Sequence, residues 1–246
     1  LKLFDQYVHG QIDRRGFLSS ASRYAVGGTT AASLLAALSP SWAAQQVAPT
    51  DPRLKTSYVT YPSPNGYGEM RGYLVQPANA KGKLPAVLVV HENRGLNPHI
   101  EDIARRVALE GFIAFAPDAL FPLGGYPGDE DKARDLFGKL DQSKTRADFV
   151  EATKVLEKLP NATGKVGVVG FCYGGGVANY LATAVPDIDA AVPFYGQQAP
   201  AADVKKIKAP LLIHDAEHDE RILADWPAYE AALKANKVDY QHFTYA

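Results

Sequence analysis

The stretch VGVVGFCYGGGVANYLA, Val166 to Ala182, decides the fold. It opens as a run of small apolar residues, the pattern of a strand covered on both faces. It turns through Gly170, Phe171, Cys172, Tyr173 and Gly174, and continues to Ala184 as a helix. The same alternation recurs outward from it. LPAVLVVHEN and FIAFAPDAL read as buried strands, and NPHIEDIARRVALEGF between them carries apolar residues at helical spacing. Asp131 to Leu159 reads as helix with a break near Gln142 and Ser143. AAVPFYG, APLLIHDAEHD and VDYQHFTY are three more strands, with a helix over Ala224 to Asn236 between the last two. SYVTYPSP and MRGYLVQPA form two short strands joined at Asn65 and Gly66. Alternating strand and helix specify an α/β domain, a mainly parallel sheet with helices on both faces. Such sheets bind ligands at the carboxyl ends of their strands. The polar residues placed there are Glu92 to Arg94, Asp118, Cys172 and Tyr173, Tyr195 to Gln197, and His214 to Asp219.

The chain has 246 residues and a net charge of −1, which gives no reason to expect nucleic acid or an anionic membrane as a partner. Residues 1–43 differ in kind from the rest. Arg14 and Arg15 precede Phe17 and Leu18, a weakly apolar stretch runs from Tyr24 to Leu38, and Ser41, Trp42 and Ala43 form a small-x-small cleavage pattern. This resembles a twin-arginine export signal, which implies the export machinery as a partner and a periplasmic location. An uncleaved anchor and a plain surface helix are the alternatives. The unbroken apolar part falls short of the roughly 20 residues that span a bilayer. Residues 44–56 are polar and read as a linker, and residues 57–246 as the α/β domain. There is one cysteine, Cys172, so no internal disulfide forms.

Glycines on either side of Cys172 suit a tight strand-to-helix turn that pushes a nucleophile into a site. A helix N-terminus there favours a thiolate and a developing oxyanion, and the Tyr173 N–H would be one donor to it. The alternatives are a small buried side chain in a glycine-rich turn or a phosphate-holding loop. If the order is nucleophile, acid, histidine, the acid should end a later strand. LLIHDAEHDERI offers Asp215, Glu217 and Asp219, and Asp219 is the choice because Asp215 sits closer to the strand itself. A carboxylate at Glu92, beside a thiol, can take its proton or hold it until substrate arrives. Arg94 offers an anionic substrate a guanidinium, or is a loop contact.

With VLVVHENRGLNPHIEDIARRVALEGF, GKVGVVGFCYGGG and LLIHDAEHDERI in place, the chain resembles the dienelactone hydrolase family of α/β-hydrolases. The resemblance runs from about Tyr73 to the last residue. It implies hydrolysis of a small lactone or carboxylic ester through a Cys–His–Asp triad, without cofactor. Cys172 matches the nucleophile and Asp219 the acid. Glu92 matches a glutamate that contacts the resting cysteine and regulates its ionisation, and Asn93 supplies the second oxyanion N–H.

The resemblance places the catalytic histidine in the loop after the last strand, beyond Ala246. The chain as read is therefore expected to be a fragment lacking its C-terminal end, a truncated inactive relative or binding protein, or a case of substitution by another histidine. His242 lies inside the last strand, His214 within a strand and His218 beside Asp219. His91 should face away from Glu92, His99 begins a helix, and His9 belongs to the leader. No pair has zinc spacing, so no metal is expected. A chain ending at the last strand should leave an apolar sheet face partly uncovered. A redox role for Cys172 lacks a resolving cysteine.

Overall fold

The computed structural model describes residues 2–8, 11–24, 30–38 and 45–246. It divides into two compact units, Leu1–Ala44 and Gln45–Ala246. Among the described residues the first holds three short α-helices, α1 (Lys2–Val8), α2 (Arg14–Ala21) and α3 (Ala31–Leu38). Asp13 caps α2, its carboxylate accepting the Gly16 N–H at 2.7 Å. Tyr7, Phe17, Ala21 and Leu35 bury one another, with the Tyr7 and Phe17 rings 5.5 Å apart. Among the described residues no helix is long and apolar enough to cross a membrane. The cleavage pattern at residues 41–43 and His9 lie outside the described residues.

The second unit carries an eight-stranded sheet. Its elements are β1 (Leu54–Ser63), β2 (Gly68–Pro77), β3 (Leu84–Val90), α4 (Pro98–Leu109), β4 (Ile113–Pro117), α5 (Glu130–Phe137), α6 (Gln142–Glu157), β5 (Ala162–Phe171), α7 (Tyr173–Ala184), β6 (Ala190–Phe194), β7 (Leu211–Ala216), α8 (Glu220–Leu223), α9 (Trp226–Ala235) and β8 (Tyr240–Tyr245). The strand order is β1-β2-β4-β3-β5-β6-β7-β8, antiparallel across β1, β2 and β4 and parallel from β4 to β8. Strand alternation sends Leu88 and Val90 to one apolar cluster and Val89 to the other, so β3 is covered on both faces and reads as a continuous apolar run. The α/β architecture expected from the alternation is the one observed.

Two boundaries differ. The segment taken as a linker over 44–56 is held from Gln45. The buried Arg105 of α4 donates to the Val47 carbonyl at 2.8 Å and the Gln45 side chain at 2.9 Å, and Asp102 accepts the Val47 N–H at 2.8 Å. A guanidinium removed from water needs acceptors, and this polar segment supplies them. β1 accordingly starts at Leu54, upstream of residue 57. The helix expected over 224–236 is α9, with Pro227 in its first turn, and the short α8 precedes that range. On the α4 face, Phe171, Phe194, His214 and Phe243 stack in a row across β5 to β8 at centroid spacings of 5.0, 4.4 and 5.8 Å, and Phe243 is 46% exposed.

Candidate active site

Cys172 stands between the end of β5 and the first residue of α7, with φ +53° and ψ −112°. Holding a non-glycine residue there costs about 1–3 kcal/mol and persists only where the surroundings impose it. The surroundings do. A Cβ at Gly170 would stand 2.0 Å from the Gly174 carbonyl oxygen, and one at Gly174 would stand 2.2 Å from that of Val90. Gly175 and Gly196 approach as closely. The glycines let the head of α7 press on the ends of β3, β5 and β6, and the Cys172 N–H continues the sheet by donating to the Phe194 carbonyl at 3.0 Å.

The thiol is pushed up to about 11, first by burial and then by the Glu92 carboxylate; the Tyr173 N–H opposes both. This reverses the sequence-based expectation. The helix N-terminus does favour the thiolate, but desolvation and a neighbouring negative charge outweigh it, so the resting group is a protonated thiol at neutral pH.

Glu92 follows β3 and accepts a hydrogen bond from the Tyr195 hydroxyl at 3.0 Å. Tyr195, at the end of β6, has φ +40° and is turned toward Glu92 and Cys172. Burial and those two groups hold its phenol well above the ordinary range. The sequence placed Tyr195 at a strand end and gave it no role; the break from apolar strand to Tyr-Gly was the available signal. Arg94 makes loop contacts. Its Nε lies 2.9 Å from Glu130, whose other oxygen accepts the Tyr126 hydroxyl at 2.7 Å, and its Nη1 donates to the Asn93 side chain at 2.5 Å. Arg94 thus ties the Asn93 loop to the segment after β4, and its charge still favours the Cys172 thiolate.

Asp219 is the N-cap of α8, accepting the Ile222 N–H at 3.1 Å, with Arg221 at 3.5 Å. The histidine-paired carboxylate is instead Asp215, whose Oδ2 lies 3.0 Å from His242 Nε2. The two side chains leave neighbouring strands on one face, and the His242 ring lies 3.7 Å from that of Trp226. Neither Asp215 nor His242 lines the cavity at Cys172. His91 is buried away from it, its Nε2 accepting the Ala119 N–H at 3.2 Å, and His214 meets the Tyr245 hydroxyl at 2.9 Å. Among the described residues no three His, Cys, Asp or Glu side chains gather as metal ligands would. The cavity measures about 660 Å³ and is walled near the thiol by Asn93, Tyr173, Gln197 and Arg221.

A strained nucleophile-type turn at the carboxyl edge of a parallel sheet defines an α/β-hydrolase. The chain belongs to the dienelactone hydrolase family, whose profile matches residues 70–246. Residues 1–26 match a second profile, YqhI-like. A provisionally named hydrolase fragment of Escherichia coli (strain K12), YghX, is 61% identical over 113 residues, covering 46% of this chain and 97% of that one. A provisionally named carboxymethylenebutenolidase of Synechocystis sp. is 31% identical over 210 residues, covering 78% and 84%. The crystal structure of a provisionally named dienelactone hydrolase from Klebsiella pneumoniae superposes with a TM-score of 0.67 at 26% identity, covering 78% and 86%.

Proposed function

We propose that this hydrolase cleaves a carboxylic ester or lactone with Cys172 as nucleophile. The observation that carries the reading is the single cysteine held at φ +53° where α7 begins, lining a cavity and within electrostatic reach of Glu92. The Synechocystis relative's name supports the bond type. Sγ attacks the carbonyl carbon as the thiol proton leaves. The Tyr173 and Asn93 N–H groups receive the oxyanion, the C–O bond breaks as the proton taken from the thiol passes to the leaving oxygen, and water cleaves the thioester, one of its protons restoring the thiol. Glu92 is the carboxylate beside the thiol and takes its proton as substrate displaces water. Asp219 would orient the histidine that the family resemblance places after the last strand. The protein acts after twin-arginine export in this reading, supported by Arg14, Arg15, Phe17 and Leu18.

A second reading, a binding protein without turnover, is favoured by the engagement of His91, His214 and His242 away from the cavity. Hydrolysis of a chromogenic acetate ester and of a simple unsaturated lactone separates the two. Turnover that disappears in Cys172→Ala supports the nucleophile; turnover that survives the substitution refutes it, and none in the native chain favours the binder.

A further inference from the structure

The cavity does not stop at the thiol. It continues along α7, whose Gly176, Tyr180 and Thr183 line it on successive turns, and Arg146 of α6 lines it beside Tyr180. Tyr180 is eight residues beyond Cys172, about 12 Å along a helix that rises 1.5 Å per residue. There the Arg146 guanidinium sits over the Tyr180 ring, 5.2 Å from its centroid.

The other cations around this cavity are each met by an acid. Lys206 lies 2.6 Å from Asp203, and Arg221 lies 3.5 Å from Asp219. Among the described residues no carboxylate lies within ion-pair distance of Arg146. A guanidinium resting on an aromatic face keeps its N–H edge available for a planar anion. A second donor shares the wall. The Tyr173 hydroxyl is buried and has no hydrogen-bond partner among the described residues, and Arg146 is the charge that acts on it most strongly. An unpaired buried donor is unfavourable, and a ligand oxygen relieves it.

We propose that this groove takes an extended substrate arm ending in a carboxylate, read by Arg146 beside Tyr180, about 12 Å of helix rise beyond Cys172. The proposal rests on the ester-hydrolase reading above for the identity of the reacting end, and replaces a small compact lactone with a long half-ester of a dicarboxylic acid. Bridging that span takes roughly ten carbons, given carbon–carbon bonds of about 1.5 Å. The apolar walls supplied by Phe137, Val177 and the Tyr180 ring suit the methylenes.

Binding tests it without requiring turnover. The probes are the half-amide of a ten-carbon dicarboxylic acid, the same amide ending in methyl, and the half-amide of a four-carbon dicarboxylic acid. Each is titrated calorimetrically into the native chain, Arg146→Gln and Arg146→Lys. The expected result is a native preference for the carboxylate-ended long probe over the methyl-ended one. That preference falls about tenfold in Arg146→Gln and is partly kept in Arg146→Lys. An unchanged preference in Arg146→Gln overturns the proposal, as does an equal loss for the four-carbon probe. If the long probe binds as expected while Cys172→Ala leaves ester turnover intact, the catalytic reading falls and the groove stands.

Discussion

Gly174 and Gly176 lie two residues apart in α7, and alanine at each should move stability in opposite directions. A Cβ at Gly174 would stand 2.2 Å from the Val90 carbonyl oxygen and 2.7 Å from that of His91. Both obstacles are backbone at the end of a central strand, so neither can rotate away. The head of α7 must lift from β3, and overpacking of this kind costs about 1–3 kcal/mol or more. Alanine's better helix propensity returns about 1 kcal/mol. The net expectation is a loss of about 1 kcal/mol, or roughly 2–4 °C in Tm for a domain of this size. At Gly176 a Cβ would meet Gln197 at 3.6 Å or more, ordinary contact. There the propensity gain stands alone, about 1 kcal/mol and roughly 2–4 °C upward. Thermal melts followed by far-UV circular dichroism read both variants against the native chain. Shifts of the same sign, or a Gly174→Ala melt equal to the native one, would refute the claim that close backbone packing dictates the glycines of the elbow.

Because the Cys172 thiol is pushed up to about 11, its alkylation by iodoacetamide should keep accelerating well above the ordinary thiol value of 9.0. Glu92→Gln removes a negative neighbour and should move that midpoint down; an unmoved midpoint would show that burial acts alone. The same shift means the unfolded chain gives up this proton first, so the thiol's contribution to stability is present below pH 9 and fades as pH rises toward 11. At Asp219, asparagine keeps the cap on α8 while alanine removes it, so Asp219→Ala should lose about 1 kcal/mol and Asp219→Asn little. If Asp219 also orients a catalytic histidine, Asp219→Asn should lose turnover at an unchanged Tm; equal turnover would leave it a cap and nothing more.

The sheet was legible because burial on both faces writes itself into local composition. LPAVLVV and IAFAP are apolar throughout since both faces meet helices, and the glycines around Cys172 mark contacts too close for any side chain. What was not legible depends on partners distant in sequence. Arg105 looks like one more charge on an amphipathic helix, and only the fold shows that it is buried and collects Val47, Gln45 and Tyr73. Asp215 reads in sequence as a strand residue, yet the strand is what aims it at His242, 27 residues later. The engagement of Arg94 by Glu130 required the segment after β4 to fold back, which no periodicity encodes.

The thiol shows the same limit in energetic form. Its position on a helix N-terminus is visible in sequence, and the sign of that effect on ionisation is correct. Its magnitude is tied to a few partial charges at the first turn, worth at most about 2 kcal/mol in partly buried geometries. Burial and Glu92 act on the full charge, and together they win. A resting thiol follows, with Glu92 held by the Tyr195 hydroxyl on one side and facing the sulfur on the other. Any ligand that draws Glu92 away or neutralises it removes one of the two forces holding the proton on Cys172. Ionisation of this cysteine therefore depends on burial and on the state of Glu92, and it cannot be read from the helix terminus alone.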